Sequence, residues 1–256
     1  CACRRSYSAG SNDCQWTYAF ANHLHSSKGA NMSICIIPAR GGSKRIPRKN
    51  VKLFCGKPII EWTVAAAQSA GIFERIIVST DDVEITETVI PMGVEAPFQR
   101  PQHLSDDFAT TIDVMAHAVN TLGLDNDCAV CCLYATAPFL QPEKVAIGPD
   151  KLNHADFAMS VTSYAFPIQR ALRAKSLDQI EMINPEQFIT RSQDLEEYFH
   201  DAGQFYWAKA RSWSAGKSIF EGKVAGVPLP RSRVQDIDTH EDWELAEAMF
   251  RTLGLG

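Results

Sequence analysis

The feature that most constrains this chain is an alternation. Short, continuous apolar runs recur along it, and stretches with helical spacing separate them. "SICIIPA" (33–39), "RIIVST" (75–80), "CAVCCLYA" (128–135) and "DFAMSVTSY" (156–164) read as strands buried on both faces. "PIIEWTVAAAQSA" (58–70) has proline in its first turn and stops at Gly71, and "DVMAHAVNTLG" (113–123) also ends on glycine. "DDVEITETVI" and "PEKVAIGPDKL" supply shorter helices. The pattern predicts an α/β fold with a mostly parallel sheet covered on both faces.

Two segments break the alternation. Between about 165 and 202 the chain is polar and carries Pro167 and Pro185. This reads as an insertion, a small β-rich arm for contacts between two copies. Residues 1–31 have no helical or strand period and no apolar core of a signal peptide. They read as an N-terminal extension ahead of Met32, outside a single domain spanning 32–256. Order resumes after the insertion with "GQFYWAKARSW" and "VAGVPLP". The chain closes with "DIDTHEDWELAEAMFRTLG", a loop entering an amphipathic helix.

Composition excludes some functions. A formal net charge of -5 argues against a general nucleic-acid binder. No apolar run reaches the length of a membrane span. Cys128 and Cys131 form a C-x-x-C spacing, but residues three apart on a strand point to opposite faces and cannot share one metal ion. Buried, reduced thiols of a cytoplasmic protein are the expectation.

Against that acidic background, "IIPARGGSKRIPRKN" (36–50) concentrates five cations: Arg40, Lys44, Arg45, Arg48 and Lys49. Ligands of open α/β sheets bind at the carboxyl ends of the strands, so the loop after the first strand is a natural site. Gly41 and Gly42 let backbone N–H groups approach an anion, and Ser43 adds a hydroxyl donor. Pro47 stiffens the loop. The spacing is neither that of a Walker loop nor that of a dinucleotide fingerprint. A nucleoside triphosphate is the expected anion, and a solvated basic loop is the alternative.

Near the C-terminus, "QDIDTHED" sets Asp236 and Asp238 two residues apart. On an extended segment they share a face and can meet one Mg²⁺ together with substrate phosphates. The alternative is that they are ordinary acids at a helix start, with Thr239 and Asp242 forming a capping box.

These motifs, with "STDD" and "RPQHLSDD", resemble the cytidylyltransferases that activate ulosonic acids, the CMP-sialic acid synthetases and their kin. The resemblance runs from about residue 33 to the C-terminus. "CCLYATAPFL" and "RSQDLEEYFHDAGQFYWAK" look most like the branch acting on pseudaminic acid. It implies a Rossmann-like nucleotide-diphosphosugar-transferase fold with a dimerisation insertion, a Mg²⁺-dependent homodimer, and CTP and an acidic nine-carbon sugar as substrates. By the same resemblance Arg40, Lys49 and Asn50 contact CTP, with Gly41, Gly42, Ser43 and Lys44 in the same loop. Arg100, Asp107 and Thr111 lie near the nucleotide. Asp236 and Asp238 hold the metal, and Arg40, Lys49 and Asp238 serve catalysis. Tyr134, Gln204, Phe205 and Tyr206 are expected to line the sugar site. Sialic acid synthetases usually carry glutamine where this chain has Tyr134, which argues against ordinary N-acetylneuraminate. Another sialic-acid-like sugar, KDO, or a non-catalytic nucleotide-binding regulator are the alternatives.

Overall fold

A computed structural model describes residues 33–256; the expected extension at 1–31 lies outside the described residues. The strands are β1 (Ser33–Pro38), β2 (Leu53–Phe54), β3 (Lys57–Pro58), β4 (Phe73–Ser79), β5 (Ala129–Leu133), β6 (Phe157–Ser163), β7 (Leu172–Ser176), β8 (Gln179–Met182), β9 (Phe199–Lys209) and β10 (Val224–Pro228). The helices are α1 (Ile59–Ala70), α2 (Val83–Val89), α3 (Thr111–Leu122), α4 (Pro142–Val145), α5 (Gly148–Lys151), α6 (Ala210–Ser214) and α7 (His240–Thr252). Six strands form the main sheet in the order β10-β6-β9-β5-β1-β4. β1 runs parallel to β4 and β5, and β10 runs parallel to β6. β9 is antiparallel to both of its neighbours, β5 and β6. The sheet is therefore mostly parallel, as the alternation predicted. Its antiparallel member enters after the irregular stretch 165–202, where no period gives a strand's direction.

The apolar runs fill two layers. Cys35, Ile37, Cys131, Leu133, Phe205 and Trp207 point to one face, where α1 and α2 supply Ile60, Val64, Ile85 and Val89. Ile34, Ile36, Val130, Cys132 and Tyr206 point to the other, under Met115, Ala118 and Val119 of α3 and Trp213 of α6. The period of two is the whole reason that adjacent strand residues sit in different layers. Cys131 and Cys128 likewise pack on opposite faces. Among the described residues no group of three or more His, Cys, Asp or Glu is placed to hold a metal. Burial pushes the thiols of Cys35, Cys131 and Cys132 up, so they stay protonated.

A third cluster fixes the closing segment. Trp243, Ala246 and Phe250 of α7 pack with Phe54, Ile59, Phe139 and Ile237, and the Phe54 ring meets those of Trp243 and Phe250 edge-on at 5.5 and 5.2 Å. Thr239 caps α7 in a box with Asp242. Ile237 is buried, which anchors the acidic segment beside the basic loop. The stretch 165–202 contains the β7–β8 hairpin, whose residues are mostly exposed. No helix of the described residues is long and apolar enough to cross a membrane.

Candidate functional site

The carboxyl ends of β1 and β5 open into a cavity of about 550 Å³. Arg40, Ser43, Lys44, Arg45, Lys49 and Asn50 reach it from the loop after β1, and Tyr134 and Thr136 from the end of β5. Arg100, Asp107 and Thr111 close the far side, and Asp238 lines it from the segment before α7. Elements far apart in sequence thus bring most of the expected residues to one place. Arg45, one of the five loop cations, also lines it, as do Asp106 and Thr136, which were not among the expected site residues.

The basic loop is held by acids from elsewhere. Arg40 donates to the Asp106 carbonyl at 2.6 Å and pairs with Asp107 at 2.8 Å; Lys44 pairs with Asp107 at 2.5 Å. Those two cations hold the Asp107 carboxyl below its usual range, Lys44 first. Arg45 and Lys49 pair with Asp238 at 2.8 and 3.3 Å, and Lys49 also donates to the Ile237 carbonyl at 2.8 Å. Buried Asn50 closes the loop by donating from Nδ2 to the Arg40 carbonyl at 2.9 Å. Arg100 is buried, donates to Ser105 Oγ at 3.1 Å and faces Asp81 at 3.5 Å; burial pulls its pKa down from the usual guanidinium value.

Arg48 is the cation with a different task. Its backbone is left-handed, with φ of 57°, and its guanidinium grips Asp82 at 2.5 and 2.9 Å. Asp82 also caps α2 through the Ile85 N–H. This ties the loop to the start of α2 and leaves the remaining cations to the cavity.

The two glycines are not equivalent. A Cβ built on Gly41 falls 2.2 Å from Asp82 Oδ2, whereas one on Gly42 meets nothing within 4 Å. Gly41→Ala must therefore displace the Asp82 pin, and a loss of about 1–3 kcal/mol is expected, read as a lower thermal midpoint. Gly42→Ala should leave the midpoint unchanged. Gly42 is exposed and not among the lining residues, yet it sits in the basic loop, so Gly42→Val should weaken nucleoside triphosphate binding without unfolding the chain by hindering an anion's approach to the loop's backbone N–H groups. Full affinity for the triphosphate in Gly42→Val would remove this glycine from the anion site.

The two acids expected at a metal differ in placement. Asp238 is on the cavity wall, while Asp236 lies two residues before it and is not among the lining residues. Partial burial and then the like charge of Asp238 raise the Asp236 carboxyl, and Lys49 opposes them. A pair of hard oxygen donors under mutual repulsion fits Mg²⁺, provided phosphates and water complete the coordination.

At the end of β5 the Tyr134 hydroxyl lies 2.9 Å from Thr111 Oγ1, and its ring is 5.4 Å from that of Tyr206, which like Gln204 and Phe205 is not among the lining residues. Gln204 is buried; its Nε2 donates to the Arg233 carbonyl at 2.5 Å, and its Oε1 has no protein partner. Phe205 is fully buried on the opposite face from Tyr206. Of the expected sugar-lining residues only Tyr134 lines the cavity, and Phe205 faces away from Tyr206 altogether. Adjacent strand residues cannot share a wall, a rule that the sequence already contained.

Comparison with known proteins agrees with this geometry. A family model described as cytidylyltransferase matches residues 34–212. The chain is 41% identical over 223 residues to the pseudaminic acid cytidylyltransferase of Campylobacter jejuni, covering 86% of this chain and 96% of that protein. It is 32% identical over 230 residues to the CMP-N,N'-diacetyllegionaminic acid synthase of Legionella pneumophila, covering 85% and 95%. A solved CMP:2-keto-3-deoxy-manno-octonic acid synthetase complexed with CTP shares the fold, with a TM-score of 0.64 at 17% identity over 87% of this chain and 99% of that one.

Proposed function

The chain belongs to the cytidylyltransferase family, and from that premise we propose that it transfers CMP from CTP to the 2-hydroxyl of an ulosonic acid, pseudaminic acid, with release of pyrophosphate. The observation that carries this reading is the convergence of Arg40, Lys44, Lys49 and Arg100 on a cavity that Tyr134 and Thr111 also line. A cationic lining suits a triphosphate, and the aromatic ring of Tyr134 suits the deoxy, less polar face of a sugar.

In-line displacement at phosphorus needs positioning and charge neutralisation more than covalent help. Arg40 and Lys44 are held near one another by Asp107, and Lys49 is fixed by the Ile237 carbonyl and Asp238. These cations are preorganised, so they meet the charge growing on the leaving pyrophosphate with little reorganisation. Asp107 and Asp238 occupy the cations in their absence and yield to phosphate oxygens. Asp236 and Asp238 would hold Mg²⁺, which supplies further charge stabilisation on the phosphate oxygens. The β7–β8 segment supports reading the protein as a homodimer, since Leu172, Leu177, Ile180, Phe188 and Ile189 are exposed around it.

The deciding measurement is pyrophosphate release from CTP, UTP, GTP and ATP with Mg²⁺ and each of several ulosonic acids. Release with CTP and pseudaminic acid above all other pairs is expected. CTP binding without release for any acid would instead support a nucleotide-binding regulator.

A further inference from the structure

Arg40 and Arg100 both line the cavity, and one acid outside it holds on to both of their segments. Arg100 follows the parallel bridge between Thr80 and Gln99, and its N–H donates to the Thr80 carbonyl at 2.8 Å. That sets it beside Asp81. Its side chain is only 3% exposed, so its charge has little water to face and needs partners. The 3₁₀ turn Gln102–Leu104 folds Ser105 back toward it. The Ser105 hydroxyl donates to the Pro101 carbonyl at 3.2 Å, since a carbonyl can only accept, and its oxygen takes the Arg100 Nε–H at 3.1 Å.

Asp81 joins this segment to the basic loop through one atom. Its Oδ1 accepts the Gly41 N–H at 3.1 Å and faces Arg100 Nη2 at 3.5 Å. Among the described residues no other acid pairs with Arg100. Gly41 adjoins Arg40, whose guanidinium donates at 2.6 Å to the carbonyl of Asp106, the residue after Ser105. The contacts therefore close a ring that runs from Arg40 and Gly41 to Asp81, to Arg100, to Ser105 and Asp106, and back to Arg40. Two like charges are kept in one small space. Burial first, and then the charge of Arg40, pull the Arg100 guanidinium down, while Asp81 opposes them. The Gly41 N–H is committed to Asp81 and not to an anion.

We propose that Asp81 is a positioning residue that holds Arg40 and Arg100 as a pair of guanidiniums for a nucleoside triphosphate, by fixing the Gly41 backbone and the Arg100 side chain with the same oxygen. Asp81 is not among the residues lining the cavity, so its carboxylate acts through the two arginines. A site whose cations are set before the ligand arrives spends less free energy on ordering them. The inference deepens the cytidylyltransferase reading and rests on it for the identity of the ligand.

Asp81→Ala should weaken CTP binding about tenfold, measured by calorimetry without sugar, because a charge-assisted contact is released. Asp81→Asn should recover most of that loss, since an amide oxygen still accepts from Gly41 and Arg100. An acid acting only as a charge near the phosphates gives the opposite sign: both variants would bind the triphosphate more tightly. A merely structural residue would lower the thermal midpoint and leave the affinity of the folded protein unchanged. Ser105→Ala opens the same ring with every charge in place, so it should weaken CTP binding in the same direction, even where Asp81→Ala folds poorly. In the Arg100→Met background the Asp81→Ala penalty should shrink, because the pair has already lost a member. Tighter or unchanged CTP binding in Asp81→Ala, equal penalties for the two Asp81 variants, full affinity in Ser105→Ala, or an unchanged penalty beside Arg100→Met overturns the proposal. If the wild-type protein binds CTP but releases no pyrophosphate with any ulosonic acid, the transfer reading falls, and the affinity comparison still decides the role of Asp81.

Discussion

Asp238→Ala is expected to lower kcat by on the order of 1000-fold while CTP binding in the absence of Mg²⁺ stays equal or tightens. The split follows from what Asp238 touches. Its carboxylate holds Arg45 at 2.8 Å and Lys49 at 3.3 Å, and its side chain is 34% exposed. Such pairs are worth about 0–1 kcal/mol at a surface, so the fold should lose little. The start of α7 is capped by Thr239 and Asp242 and does not need Asp238. Removing the carboxylate frees two cations for the triphosphate, which favours ground-state binding. It also removes one of two acids proposed to hold Mg²⁺, which costs the chemical step. A purely structural role predicts the opposite pattern, a lowered thermal midpoint with kcat and affinity falling together. Near-normal turnover at low Mg²⁺ would sink the metal assignment, and a midpoint collapse would move Asp238 into the architecture.

Much of this site was legible because it depends on local chemistry. β1 runs into the basic loop because a β-branched run stops at Pro38, and the ends of α1 and α3 fall at Gly71 and Gly123, whose φ values are 65° and 59°. The capping box at Thr239 was readable from a three-residue spacing. The partners of the cations were not. Asp82, Asp107 and Asp238 come from three separate segments, and no periodicity connects a charge to an acid 34, 63 or 193 residues away. Arg48 reads like its neighbours, yet only its left-handed backbone turns it from the cavity toward Asp82. The contact of Asp201 with Tyr206 was illegible for a different reason: "DAG" inside an apolar strand pattern is a bulge signal through its glycine, but the 2.6 Å bond between the two side chains forms only once the bulge of β9 is built.

The last expected result concerns the sugar. Pseudaminic acid, a 5,7-diamino deoxy sugar, should be preferred over N-acetylneuraminate by about 100-fold in kcat/KM, with KDO also poor. Tyr134 carries the argument. Its hydroxyl is engaged with Thr111 at 2.9 Å and its ring lies 5.4 Å from that of Tyr206, so it offers the cavity mainly an aromatic wall. A glutamine at this position would offer a paired donor and acceptor, which a single phenol already in use cannot reproduce. A sugar hydroxyl placed against that wall loses water and gains no partner. The size of the effect follows from the kind of rejection. A site that hydrogen-bonds a group discriminates against its absence by about 10⁴–10⁵, whereas an apolar wall rejects an added hydroxyl by only about 10². The present geometry is the second kind. Competition among the three sugars at saturating CTP measures it directly. A preference for N-acetylneuraminate would overturn the role given to Tyr134 while leaving transfer from CTP intact. A pseudaminic acid preference of 10⁴ or more would show that polar recognition outweighs the aromatic wall.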